Sequence, residues 1–72
     1  MRVNMGAKIY EMSNKQAKAI LETTKKLANC NIYGVEKDNV LIMLNEKYES
    51  KNELDKDIAK FRNKGFKVYY NE

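Results

Sequence analysis

The chain has 72 residues, so it forms one domain near the lower size limit for a free-standing core. With one cysteine and no histidine it can build neither a disulfide nor a thiol- or imidazole-ligated metal centre, which leaves oligomerisation or a tight partner to add stability. Its net charge of +4 rests on twelve lysines against two arginines, Arg2 and Arg62. Lysine is a mobile point charge where arginine is the planar fork that reads base edges, so a solvated surface fits this charge better than a nucleic-acid footprint.

From the N-terminus, Met1-Arg2-Val3-Asn4-Met5 lacks the apolar stretch of a signal peptide, and Met5 offers an alternative start. Residues 1–5 are expected to be a disordered leader. Ala7 to Met12 alternates, with Ala7 and Ile9 on one side and Lys8, Tyr10 and Met12 on the other, as in a half-buried strand. Ser13-Asn14-Lys15-Gln16 is a capping box. The stripe Ala17, Ile20, Leu21, Thr24, Leu27, Ala28 predicts a helix ending near Asn29 to Asn31, with Lys25 and Lys26 set against its C-terminal dipole.

Ile32 to Glu36 is a short apolar run containing Gly34, which marks a bulge or a close backbone approach. Glu36-Lys37-Asp38-Asn39 is a turn. Val40-Leu41-Ile42-Met43-Leu44 follows as five consecutive apolar residues. Ser50-Lys51-Asn52-Glu53 is a second capping box, and Leu54, Ile58 and Phe61 stripe the helix it opens. Gly65 stands where a left-handed C-terminal residue would end that helix. Phe66, Val68 and Tyr70 then alternate with Lys67, Tyr69 and Asn71 as a last strand.

The order strand, helix, strand, strand, helix, strand predicts an α+β domain of the ferredoxin-like type, βαββαβ. It implies a four-stranded antiparallel sheet in the order 4-1-3-2, both helices on one face and the other face open. Read this way, the run 40–44 carries an apolar surplus, because a strand with one open face should alternate. The surplus places Tyr10, Leu41, Met43 and Tyr69, with Tyr33 behind them, on an open apolar-aromatic face, and such patches mark binding surfaces. Three occupants fit it: a second copy in a homodimer, a different protein target, or single-stranded nucleic acid. The last would stack on Tyr10 and Tyr69, with Lys8 and Lys67 on phosphates.

Lys64-Gly65-Phe66 matches the opening of the RNP1 motif of RNA-recognition domains. The following Lys67, Val68, Tyr69 and Asn71 depart from it, and the match falls on the fourth predicted strand where the motif belongs on the third. A helix stop accounts for these residues. Catalytic signals are weak: no histidine serves as general base, Cys30 has no activating neighbour, and Glu11 is a lone strand-end carboxylate. Asp55 and Asp57 point to different sides of a helix, and no glycine-rich phosphate loop is present. The expectation is a non-enzymatic binding or regulatory protein without metal or cofactor that forms a homodimer and docks on a protein target through the open sheet face, with single-stranded nucleic acid as the alternative ligand. The lone cysteine and the lack of a ~20-residue apolar run place it in the cytoplasm, away from membranes. Abundant Lys, Asn and Ile without Pro fit AT-rich coding DNA, as in low-GC bacteria and their phages and mobile elements.

Overall fold

A computed structural model describes all 72 residues. The elements are β1 (Arg2–Met5), β2 (Lys8–Glu11), α1 (Asn14–Leu27), β3 (Ile32–Lys37), β4 (Val40–Glu46), α2 (Lys51–Asn63) and β5 (Lys67–Tyr70).

Local chemistry explains most of the boundaries. Gly6, at φ +62°, opens the two-residue turn that folds β2 back on β1. Asp38 and Asn39 both take positive φ, 52° and 64°, the type I′ pattern that matches the twist of the β3–β4 hairpin. At the start of α1 the Ser13 hydroxyl accepts from the Gln16 backbone N–H at 3.1 Å, and the Gln16 side chain accepts from the Ser13 N–H at 3.1 Å. At α2 only half of the expected box forms: Ser50 accepts from the Glu53 N–H, at 3.2 Å. Gly65, at φ +90°, ends α2 as its position predicts, and the Phe66 N–H reaches back to the Phe61 carbonyl in the wide bond of a Schellman motif. The Lys37 ammonium donates to the Lys64 carbonyl at 2.7 Å, so an orphan helix-end acceptor is satisfied.

The fold is a small α+β domain with two helices and a mixed, open sheet of five strands in the order β2-β1-β4-β3-β5. Three parts of the ferredoxin-like expectation are corrected. First, residues 2–5 are a strand and no disordered leader: Val3 is fully buried, and β1 lies parallel to β4, with Val3 opposite Leu41. Second, β1 takes the place beside β4 that was expected of Ala7–Met12, which becomes the edge strand β2. Third, β5 pairs antiparallel with β3, at the far edge, so the order 4-1-3-2 does not hold.

These pairings move the helices. The crossovers β2-α1-β3 and β4-α2-β5 both step toward the β5 edge, but they leave strands that run in opposite directions. Connections of one hand then place their helices on opposite faces of the sheet. The packing shows this directly. Ala17 and Leu21 of α1 cluster with Val3, Cys30, Tyr33 and Leu41. Leu54 and Ile58 of α2 cluster with Ile32, Val35 and Val68, flanked by Ile42, Leu44, Phe66 and Tyr70.

The apolar run of β4 follows from this arrangement. Leu41 and Met43 point to α1, while Ile42 and Leu44 point to α2. A strand covered on both sides has no reason to alternate. The surplus that implied an open sheet face is two-sided burial.

Candidate functional site

The five residues expected on one apolar-aromatic face do share a face, and α1 lies across it. The register places Tyr10 beside Val3, Val3 beside Leu41, and Met43 and Tyr69 on either side of Gly34. Leu41 and Tyr33 are buried, at 0% and 5% exposure, and Met43 packs against the same cluster. Tyr10 stands apart on the edge strand, 40% exposed. What α1 leaves partly uncovered is the β3–β5 side of this face, and there an open groove of ≈ 400 Å³ runs between helix and sheet.

The floor of the groove is aromatic. A register shift between Ile32 and Gly34 turns both Tyr33 and Gly34 toward α1. Tyr33 and Tyr69 stand with ring centroids 6.3 Å apart at an interplanar angle of 40°. Gly34 between them is a close approach: a Cβ there would lie 3.3 Å from Leu21 Cδ2 and 3.4 Å from Leu41 Cδ1. The expectation for Gly34 was bulge or close approach, and it is both.

The polar groups of the floor are fixed. The Tyr69 hydroxyl donates to Glu36 Oε1 at 2.8 Å, and Lys67 Nζ lies 5.1 Å from the Tyr69 ring centroid. Burial, then the hydrogen bond to Glu36 and its negative charge, push the Tyr69 phenol up from 10.0 to about 12. It is therefore a neutral donor at physiological pH. Burial is also the main cause that raises Tyr33. The wall is the flank of α1, with Lys18, Glu22 and Lys25 above Ala17 and Leu21. Three ammonium groups (Lys18, Lys25, Lys67) and two carboxylates (Glu22, Glu36) thus line an aromatic-floored channel.

Sequence reasoning found Tyr33, Lys67 and Tyr69 of this groove. The apolar stripe of α1 does not single out Lys18, Glu22 and Lys25, because a stripe gives no measure of how much sheet extends past the helix. The nucleic-acid set Lys8, Lys67, Tyr10 and Tyr69 is not brought together. Lys8 and Tyr10 are on one edge strand and Lys67 and Tyr69 on the other, four strand spacings or about 19 Å apart, with α1 between them.

Three further expectations have clear places. Cys30 is a buried, free cysteine in the α1-side core. Glu11 makes an exposed ion pair with Arg2, at 3.3 Å. Asp57 accepts from the Tyr48 hydroxyl at 2.6 Å, while Asp55 is exposed. Sequence reasoning missed Asn31. Its side chain accepts from the Tyr48 N–H at 2.8 Å and donates to the Asn71 carbonyl at 3.3 Å, joining the segment before α2 to the residue that follows β5. Asn is common enough in this chain that no pattern singles it out.

No helix is long and apolar enough to cross a membrane. The chain matches no protein-family description, no curated protein and no solved structure.

Proposed function

We propose that this protein is a small non-enzymatic binding module that docks on a protein target by accepting an extended segment of it in the groove beside α1. The observation that carries this reading is the groove itself: the partly exposed Tyr69 ring, backed by the buried Tyr33, forms a floor that α1 leaves partly open, and the rim carries both signs of charge. Tyr rings offer large, stiff contact area, and a mixed rim suits a polypeptide that presents both acidic and basic side chains.

Single-stranded nucleic acid is the second reading. Lys18, Lys25 and Lys67 beside the partly exposed Tyr69 ring favour it. Glu22 and Glu36 in the same channel oppose a phosphate backbone, and the separation of Lys8 and Tyr10 removes half of the expected contacts. The protein-segment reading is therefore preferred.

The test is selection from a random peptide library displayed on phage. The baits are the wild-type protein and two variants on the α1 flank that leave the floor intact, Lys25→Glu and Glu22→Lys. Wild type should enrich peptides of mixed charge, and each reversal should change or abolish the enrichment. Enrichment indifferent to both reversals, or none at all, would overturn the proposal. A fluorescent single-stranded oligonucleotide titrated at two salt concentrations covers the second reading. Binding that weakens steeply with salt would put nucleic acid in the groove instead.

A further inference from the structure

The groove leaves one surface unused, the free edge of β2. All four residues of this strand are exposed, and Ile9 and Tyr10 are two of the three exposed large hydrophobic residues of the chain. Its backbone is also unsatisfied in a definite pattern. Met1 and Met12 exchange hydrogen bonds, with Met12 N–H to Met1 O at 3.0 Å and the Met1 ammonium to Met12 O at 2.7 Å. Antiparallel ladders alternate, so Val3–Tyr10 and Met5–Lys8 are the bonded pairs that follow, while Arg2–Glu11 and Asn4–Ile9 are non-bonded. The N–H and C=O groups of Ile9 and Glu11 therefore point away from β1, out of the sheet edge.

From this we infer that β2 pairs with β2 of a second copy of the chain, extending the sheet across a two-fold axis. Such an axis stands normal to the sheet, so facing residues must share a face, which allows a centre on Ile9 or on Tyr10. Centring on Tyr10 sets Ile9 against the carboxylate of the partner's Glu11 on both sides of the axis. Centring on Ile9 sets Ile9 against the partner's Ile9, and Lys8 over the ring of the partner's Tyr10, twice. It also lets Ile9 bond its own copy, with Ala7 and Glu11 paired beyond it. The Ile9-centred register is the self-complementary one.

The other edge does not offer this. On β5, Val68 is buried against α2, Tyr69 is engaged with Glu36, and Arg62 lies over the Tyr70 ring at 5.9 Å. Pairing β2 with a neighbour's β5 would be head-to-tail and would build a ring or a filament instead of a two-fold pair. The β2 pair closes at two copies, and it leaves the α1 groove open.

The proposal is tested by mass in solution over a dilution series, with circular dichroism to verify the fold of each variant. Wild type should approach twice the monomer mass at high concentration and go no further. Ile9→Lys places two ammonium groups face to face on the axis, at about 5.5 Å between Cα atoms, and should raise the dimer dissociation constant by at least about tenfold. Ile9→Pro deletes an outward N–H without touching the bonds to β1, and should do the same. Leu27→Lys, at the most exposed large apolar side chain but away from the edge, should change nothing. A monomer at all concentrations, assemblies larger than two, or a dimer that yields to Leu27→Lys and not to the Ile9 variants would each overturn the inference. Amide exchange on the wild type alone gives a second reading: Ile9 and Glu11 should gain protection with concentration, and lack of protection would count against the pairing.

Discussion

The two ends of this sheet obey different rules. In the β4–β3–β5 half every strand has helix or helix-packed side chains on at least one face, and β3 and β4 have them on both. In the β2 wing the strand is exposed on both faces and along its edge. The sequences differ accordingly: Val40 to Leu44 is unbroken apolar, whereas Lys-Ile-Tyr-Glu mixes a cation, two large apolar bodies and an anion. Continuous hydrophobicity thus reports two covering layers, and mixed character reports none. The difference also divides the labour proposed above, since the covered half shapes a groove for a target and the bare wing presents backbone to a copy.

The sharpest way to break the comparison is at Leu41, which is fully buried against α1 in mid-sheet. Leu41→Ala should cost about 2–5 kcal/mol. A 72-residue core offers only about 3–5 kcal/mol in all. The variant should therefore lose a large share of its stability, with a urea transition that is shifted far below that of wild type or lost. A Leu41→Ala transition close to that of wild type would mean that β4 is not a sandwiched strand.

Next in size is Gly34→Ala. The added methyl would press on Leu21 Cδ2 and Leu41 Cδ1, both core side chains with little room to yield. Overpacking of this kind costs about 1–3 kcal/mol, which a shift in the urea midpoint would show. An unchanged midpoint would show that α1 sits more loosely on the sheet than its contacts imply.

These positions also mark what the sequence made legible. Both helices, their serine caps, the Gly65 stop and the Asp38-Asn39 turn were readable because each is local: one or two side chains bond their own backbone. The common face of Tyr10, Leu41, Met43 and Tyr69 was readable from alternation alone. Strand order was not, because it is decided by which long-range pairs form. Val3 flanked by Arg2 and Asn4 looks like a polar leader until its neighbour is Leu41. The one available warning was the apolar run itself. It was read as a surplus on an open face because the assumed topology had already put both helices on one side. Periodicity says how many faces of a strand are buried; it does not say by what.

A subtler difference lies at the margin of the covered half, where Tyr69 is only partly under α1. Its phenol is raised from 10.0 to about 12 in the folded state, by burial first and by Glu36 second. A raised folded value means that the neutral form is favoured by folding. The stability tied to Tyr69 is therefore complete below pH 10 and is lost as pH rises through about 12. Urea unfolding between those limits should give a falling stability for wild type and a shallower fall for Tyr69→Phe. The comparison must be made as a difference, because Tyr33 and Tyr48 are also raised and contribute their own slopes. Parallel curves would place the Tyr69 hydroxyl in solvent, away from Glu36.

The smallest effect is the most telling for the wing. Ile9 is 64% exposed in the monomer, so Ile9→Ala removes a side chain that folding leaves mostly in water. Measured on dilute protein, its stability should lie within about 0.5 kcal/mol of wild type, as for other exposed sites. Measured on concentrated protein, wild type should gain over the variant, because a partner that binds only the folded state adds stability by mass action. The two concentrations separate the roles of a single side chain. A loss already present at high dilution would mean that the wing is packed within its own chain. A gap that opens only with concentration would mean that Ile9 is kept for a neighbour.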